Sequence, residues 1–162
     1  MWRQLARAAR ERGPDAVADW LILIGGVGLF LSLFFTWSHQ FSSAALSASG
    51  DSGALRGVPA DPTGWQVYAV ADELLAVLAV ALVLIALVIE SVRGRVVVLL
   101  ACVLALVFVL HATGVPPTNG VVLINGSGNY VRRAATAGFG ETVALVSLGA
   151  AVAGLGLSLL RK

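Results

Sequence analysis

The chain has 162 residues, of which 58% are hydrophobic and 12% charged, and it carries a net charge of +2 and a mean hydropathy of +0.89. That composition is far from a soluble average, and the length leaves room for one compact unit, residues 1–162, and little else. The small net charge gives no support to nucleic-acid binding, and the single cysteine, Cys102, excludes an internal disulfide.

Residues 1–17 form a basic segment. Trp2, Leu5 and Ala9 fall near one helical face, and Arg3, Arg7 and Arg10 near another. A helix of this kind lies in the headgroup layer with its arginines on anionic lipid. The simpler reading, which we prefer, is a topology signal that happens to be helical. Gly13-Pro14 ends the segment, and Asp15 or Asp19 is placed to cap the next helix.

The first long apolar run spans residues 18–37, close to the ~20 residues that an α-helix needs to cross a bilayer. It exceeds the ~7–15 residues of a signal-peptide core, so a retained span is expected rather than a cleaved leader. Gly25, Gly28, Ser32 and Thr36 make a stripe of small residues, the kind of surface through which helices approach each other in lipid. Trp20 and Trp37 read as interfacial markers at its two ends. A loop, residues 38–67, comes next. It is rich in Ser, Ala and Gly up to Leu55 and then carries Pro59, Pro62 and Gly64.

The second run, residues 68–89, is the most informative. Asp72, Ala76, Ala79, Val83, Ala86 and Glu90 share one face, with an acid at each end. Glu73, Val77, Val80, Leu84 and Leu87 share another that is bulky enough to meet lipid. Asp72 is therefore expected to point inward and Glu73 outward. The short link around Arg93 predicts an antiparallel hairpin with the third run, residues 96–112, in which Ala101, Ala105 and Ala112 lie together and Cys102 serves as a small packing residue. In the second long loop, residues 113–141, Val121 to Ile124, then Asn125-Gly126-Ser127-Gly128, then Asn129 to Arg133 read as a small β-hairpin. The fourth run, residues 142–160, gathers Ala144, Ser147, Ala151, Gly154 and Ser158 on one face.

Eight of the eleven basic residues fall before the first run, between the second and third, or after the fourth. Four crossings with both ends in the cytoplasm satisfy the positive-inside rule, leaving residues 38–67 and 113–141 outside. The expected fold class is an all-α membrane protein, a four-transmembrane-helix bundle with a β-hairpin in its second outer loop. Ten arginines against one lysine, with abundant Ala, Val and Gly, point to a GC-rich bacterial genome and hence to a bacterial plasma membrane.

Chemistry-bearing residues gather at one end of this arrangement. Asp72, Glu73, Glu141, His111, Arg132 and Arg133 form a candidate polar or ion site, because a buried carboxylate near Arg or His binds cations or relays protons. Each also has a structural explanation: Glu141 at a helix N-terminus, Asp72 capping or pairing with Arg132 or Arg133, and His111 at the interface. For Asp72 the structural role is preferred. The histidines lack metal-ligand spacing, and no phosphate loop, nucleophile elbow or zinc box is present. No metal, cofactor, catalytic set or nucleic-acid partner is expected.

Leu23 to Trp37 resembles the opening span of small four-helix integral membrane proteins common in high-GC Gram-positive bacteria. So does Thr63-Gly64-Trp65-Gln66-Val67-Tyr68 followed by Asp72, and Gly138-Phe139-Gly140 leading into the last span. The Ser-Ala-rich loop and Arg132-Arg133 have no counterpart there. The group is uncharacterised, so the resemblance implies topology and no activity. The sequence leads to a non-enzymatic envelope protein that packs with itself or a larger membrane partner. The alternative is a transporter or channel subunit using Asp72 and Glu141.

Overall fold

The computed structural model describes residues 13–39, 61–68, 70–88, 91–115, 123–124, 130–131 and 136–160. Expectations for residues 1–12, for most of the first loop, for Glu90 and for the Arg132-Arg133 pair lie outside the described residues. Helix α1 is Gly13–Ser32, α2 the single turn Gly64–Val67, α3 Ala71–Leu87, α4 Val92–Gly114 and α5 Phe139–Leu160. Strands of two residues each are β1 (Ser38–His39), β2 (Leu123–Ile124), β3 (Tyr130–Val131) and β4 (Thr136–Ala137). The chain is thus mostly helical. The long helices α4 and α5, 23 and 22 residues, are apolar enough to cross a membrane, whereas the apolar part of α1 is Ala16–Ser32 and α3 has 17 residues.

The helices run alternately up and down. Asp19 of α1 meets Arg95 of α4 at one end, and the backbone of α5 at Gly154 presses on Ala18 there. At the opposite end the exit of α1 meets α2 and the start of α5 around Trp37. The beginning of α1 and the end of α5 therefore lie together, at the Arg95 end. Helix α1 packs on α5 and α3; α4 packs on α5 and only slightly on α3.

The α1–α5 crossing is built from small residues, as expected. A β-carbon on Gly25 would lie 2.7 Å from the Ser147 carbonyl oxygen and 2.8 Å from the Ala151 β-carbon. Gly28 abuts the Ser147 side chain, and Gly154 abuts Ala18 and Ile22. Ala144, Ser147, Ala151, Gly154 and Ser158 are all buried. Hydroxyls on this seam are satisfied locally: Ser32 Oγ donates to the Leu29 carbonyl at 2.6 Å and Ser158 Oγ to that of Leu155 at 2.8 Å.

Three expectations are corrected. The first helix does not continue to Trp37. Its last turn tightens through i to i+3 bonds at Leu33, Phe34 and Phe35, and the chain then leaves as extended backbone. Trp37 is not an interfacial marker either, since it is fully buried. On α3 the inward face is not the alanine row. Asp72 and Ala79 are buried, but with them are Leu75, Leu78, Leu82 and Ile85, while Ala76 and Ala86 are only partly covered. Gly26 of α1 supplies the room, its hydrogen facing Leu82 Cβ. The bulky row of α3 faces outward as expected: Glu73, Val77, Val80, Leu84 and Leu87 are all exposed.

The hairpin of the second loop is present as the antiparallel pair β2–β3, with Leu123 opposite Val131 and Ile124 opposite Tyr130. A second pair, β1–β4, places Ser38 opposite Ala137 and His39 opposite Thr136, and closes the α1 exit against the α5 entry.

Candidate functional site

The site is organised by Trp37. Its indole Nε1–H turns back and donates to the Ser32 carbonyl at 2.7 Å, occupying one of the acceptors that a helix end leaves open. Its backbone N–H donates to Pro62 at 2.9 Å, and its carbonyl accepts from Gly138 at 2.9 Å. Thr36 pairs with Thr63 and accepts from the Gly140 N–H at 2.7 Å. Three separate chain segments are thereby tied at one point. Gly138 and Gly140 are needed because each backbone lies against Thr36 or Trp37, where a β-carbon has no space, and Gly64 packs closely on Leu33 and Trp37. Tyr68 stacks edge-on against Trp37 at 5.8 Å and against Phe108 at 5.3 Å, carrying the cluster across to α4.

Two carboxylates are enclosed near this knot. Asp72, in the first turn of α3, is 2% exposed, and Glu141, in the first turn of α5, is 0% exposed. The Tyr68 main chain faces the Asp72 carboxyl, but among the described residues Asp72 Oδ1 has no hydrogen-bond partner, and neither does either oxygen of Glu141. Tyr68 stands within electrostatic range of both acids. A buried carboxylate without a donor is costly, so these oxygens are the atoms where a cation or donor would be held.

The structure separates the other candidates from this pair. Glu73 points outward and is exposed; His111, in the last turn of α4, is exposed as well. Arg132 and Arg133 fall outside the described residues. Among the described residues no group of three His, Cys, Asp or Glu could hold a metal. Cys102 is buried as a packing residue.

Two polar contacts had no signature in the sequence. His39 Nδ1 lies 2.6 Å from Asp61 Oδ1 in an exposed pair that joins β1 to the stretch before α2. Such surface pairs contribute little stability. At the other end Arg95, 9% exposed, reaches Asp19 through its guanidinium at 3.3 Å and ties α4 to α1. These partners are 76 residues apart in the chain, so spacing could not reveal them.

Comparisons with known protein families, with curated proteins and with solved structures find no match for this chain.

Proposed function

We propose that this chain is a non-enzymatic integral protein of the bacterial plasma membrane, crossing it four times with both ends in the cytoplasm. In this reading it packs laterally with itself or with a larger membrane partner. The supporting observation is where the apolar surface faces. In the most apolar eighteen-residue stretches of α4 and α5, only 17% and 39% of residues are buried inside the protein. A core helix of a soluble domain hides most of such a stretch, and a lipid-facing helix does not. Large side chains on α1 and α3, among them Ile24, Leu31, Leu74 and Val77, point outward in the same way. The alternating direction of the helices and the position of Arg93 and Arg95 at one end of α4 support four crossings.

The test is made in native membranes. Leu100 is 60% exposed on α4, so Leu100→Cys with a bifunctional thiol reagent is expected to capture a second copy or a heavier partner, while buried Ala144→Cys is not. Monomer alone from Leu100→Cys would defeat the packing reading. Reporter fusions that placed the two chain ends on opposite sides would defeat the topology.

A second reading is favoured by one observation, the oxygens of Asp72 and Glu141 that have no partner among the described residues. A transporter or channel subunit would use them at a polar entrance to bind a cation or relay protons. In liposomes, Asp72→Asn and Glu141→Gln are then each expected to cut cation or proton flux at least tenfold, a loss of about 1.4 kcal/mol of stabilisation. Flux equal to that of the unaltered chain removes this reading.

A further inference from the structure

Helices α3 and α4 are consecutive in the chain yet hardly touch, and the space between them is a continuous groove. Its upper part, about 510 Å³, is lined only by apolar side chains, with Ala71 and Phe108 at the Trp37 end. Its lower part, about 360 Å³, ends at Arg93 and Gly94. Ala81 and Val98 line both parts, so the two adjoin there, and each is open along its side. Small residues widen it: Ala71 and Ala81 on α3 and Ala101 and Ala105 on α4 are among its lining, while Leu82 turns toward Gly26 of α1 instead.

Length and charge identify what fits. From Arg93 to Phe108 the groove runs along fifteen residues of helix, about 22 Å at 1.5 Å per residue. One leaflet of a bilayer has a hydrocarbon depth of about 15 Å, so an acyl chain entering at Arg93 is accommodated along its whole length. Arg93 is exposed and makes no ion pair among the described residues, unlike Arg95, which is committed to Asp19. A cation at the mouth of an apolar slot is complementary to a phosphate attached to a hydrocarbon chain. From this we infer that the α3–α4 groove is a binding site for an anionic glycerophospholipid. One acyl chain lies between Ala81 and Val98, and the headgroup phosphate sits on Arg93. The inference rests on the membrane reading above and adds a ligand class to it.

The experiment uses the full chain purified in a mild detergent, with native mass spectrometry during titration by phosphatidylglycerol or by phosphatidylcholine of identical chains. The unaltered protein is expected to retain one phosphatidylglycerol with about fivefold preference, the effect of a single basic side chain at a lipid surface. Arg93→Gln should abolish the preference while leaving chain binding in place. Ala81→Leu and Ala105→Leu, which fill the slot at two separate points, should each weaken both lipids at least fivefold. Glycerophosphoglycerol, the same headgroup without chains, should not compete. Equal retention of the two lipids by the unaltered chain would overturn the proposal. So would filled variants that bind normally while keeping their helical circular dichroism, or a Val98→Cys crosslink to another protein in native membranes. A chain that stays dissolved without detergent would defeat the membrane reading itself, an outcome distinct from these.

Discussion

Trp37→Ala is expected to cost about 3–5 kcal/mol, measured as the shift in unfolding free energy in detergent micelles. The indole is fully buried where three segments meet: the α1 exit, the α2 turn and the glycines opening α5. Removing it leaves a void that Gly64 and Gly140 cannot fill, because neither carries a side chain. Trp37→Phe separates the contributions. It keeps most of the ring but loses the bond to the Ser32 carbonyl, which still accepts from Phe35 at 3.2 Å, so a cost of about 0.5–1.5 kcal/mol is expected. Trp20, which is 61% exposed on α1, is the control, and Trp20→Ala should move stability by no more than about 0.5 kcal/mol. Equal losses at the two tryptophans would show that Trp37 anchors nothing.

The same residue marks a limit of sequence reading. Hydropathy locates helices well, and all four apolar runs contain one, but it does not see where a helix stops. Leu33, Phe34 and Phe35 are as apolar as the turns before them, yet they lie beyond the last full turn, because Trp37 folds back on the Ser32 carbonyl. Which face of a helix turns inward is harder still, since outward-facing and inward-facing surfaces are both apolar. The small-residue rule succeeds on α1 and α5, where glycine meets serine and alanine. It misleads on α3, where smallness is needed on only one partner: Gly26 gives way, and Leu82 fills the space. The expected hairpin pairing of α3 with α4 is also weak, because α4 seats on α5 instead.

Of the candidate site, Asp72 was legible. It lies about 100° round the helix from a bulky row that begins at Glu73, and that row does face outward. The burial of Glu141 was not, because a glutamate in a first helical turn ordinarily reaches water. Here Gly140 lets that turn press against the Trp37 ring, and Glu141 is carried inside with it. The pairs Arg95–Asp19 and His39–Asp61 depend on the fold alone, and neither motif nor period announces them.

Two kinds of glycine on the same pair of helices are expected to respond with opposite signs. Gly25→Val must separate α1 from α5, because two of the three atoms that its β-carbon would meet, at 2.7 and 2.8 Å, belong to the backbone of α5 and cannot rotate away. Overpacking of this sort costs about 1–3 kcal/mol, and the damage should extend along the seam to Gly28 and Gly154, which rely on the same close approach. Gly25→Ala should fall between the two extremes. Gly149 and Gly156, on α5, would have nothing within 4 Å of a β-carbon. At those positions alanine meets open space and restricts the unfolded chain, so Gly149→Ala should add up to about 0.5–1 kcal/mol. Both effects are read from the same unfolding titration in micelles. If Gly25→Ala proved as harmless as Gly149→Ala, the two helices would not be in backbone contact. Small residues on α5 would then reflect composition rather than packing. The alanine exchange at Gly25 is therefore the sharper measurement, because helix propensity favours it and only the crossing opposes it.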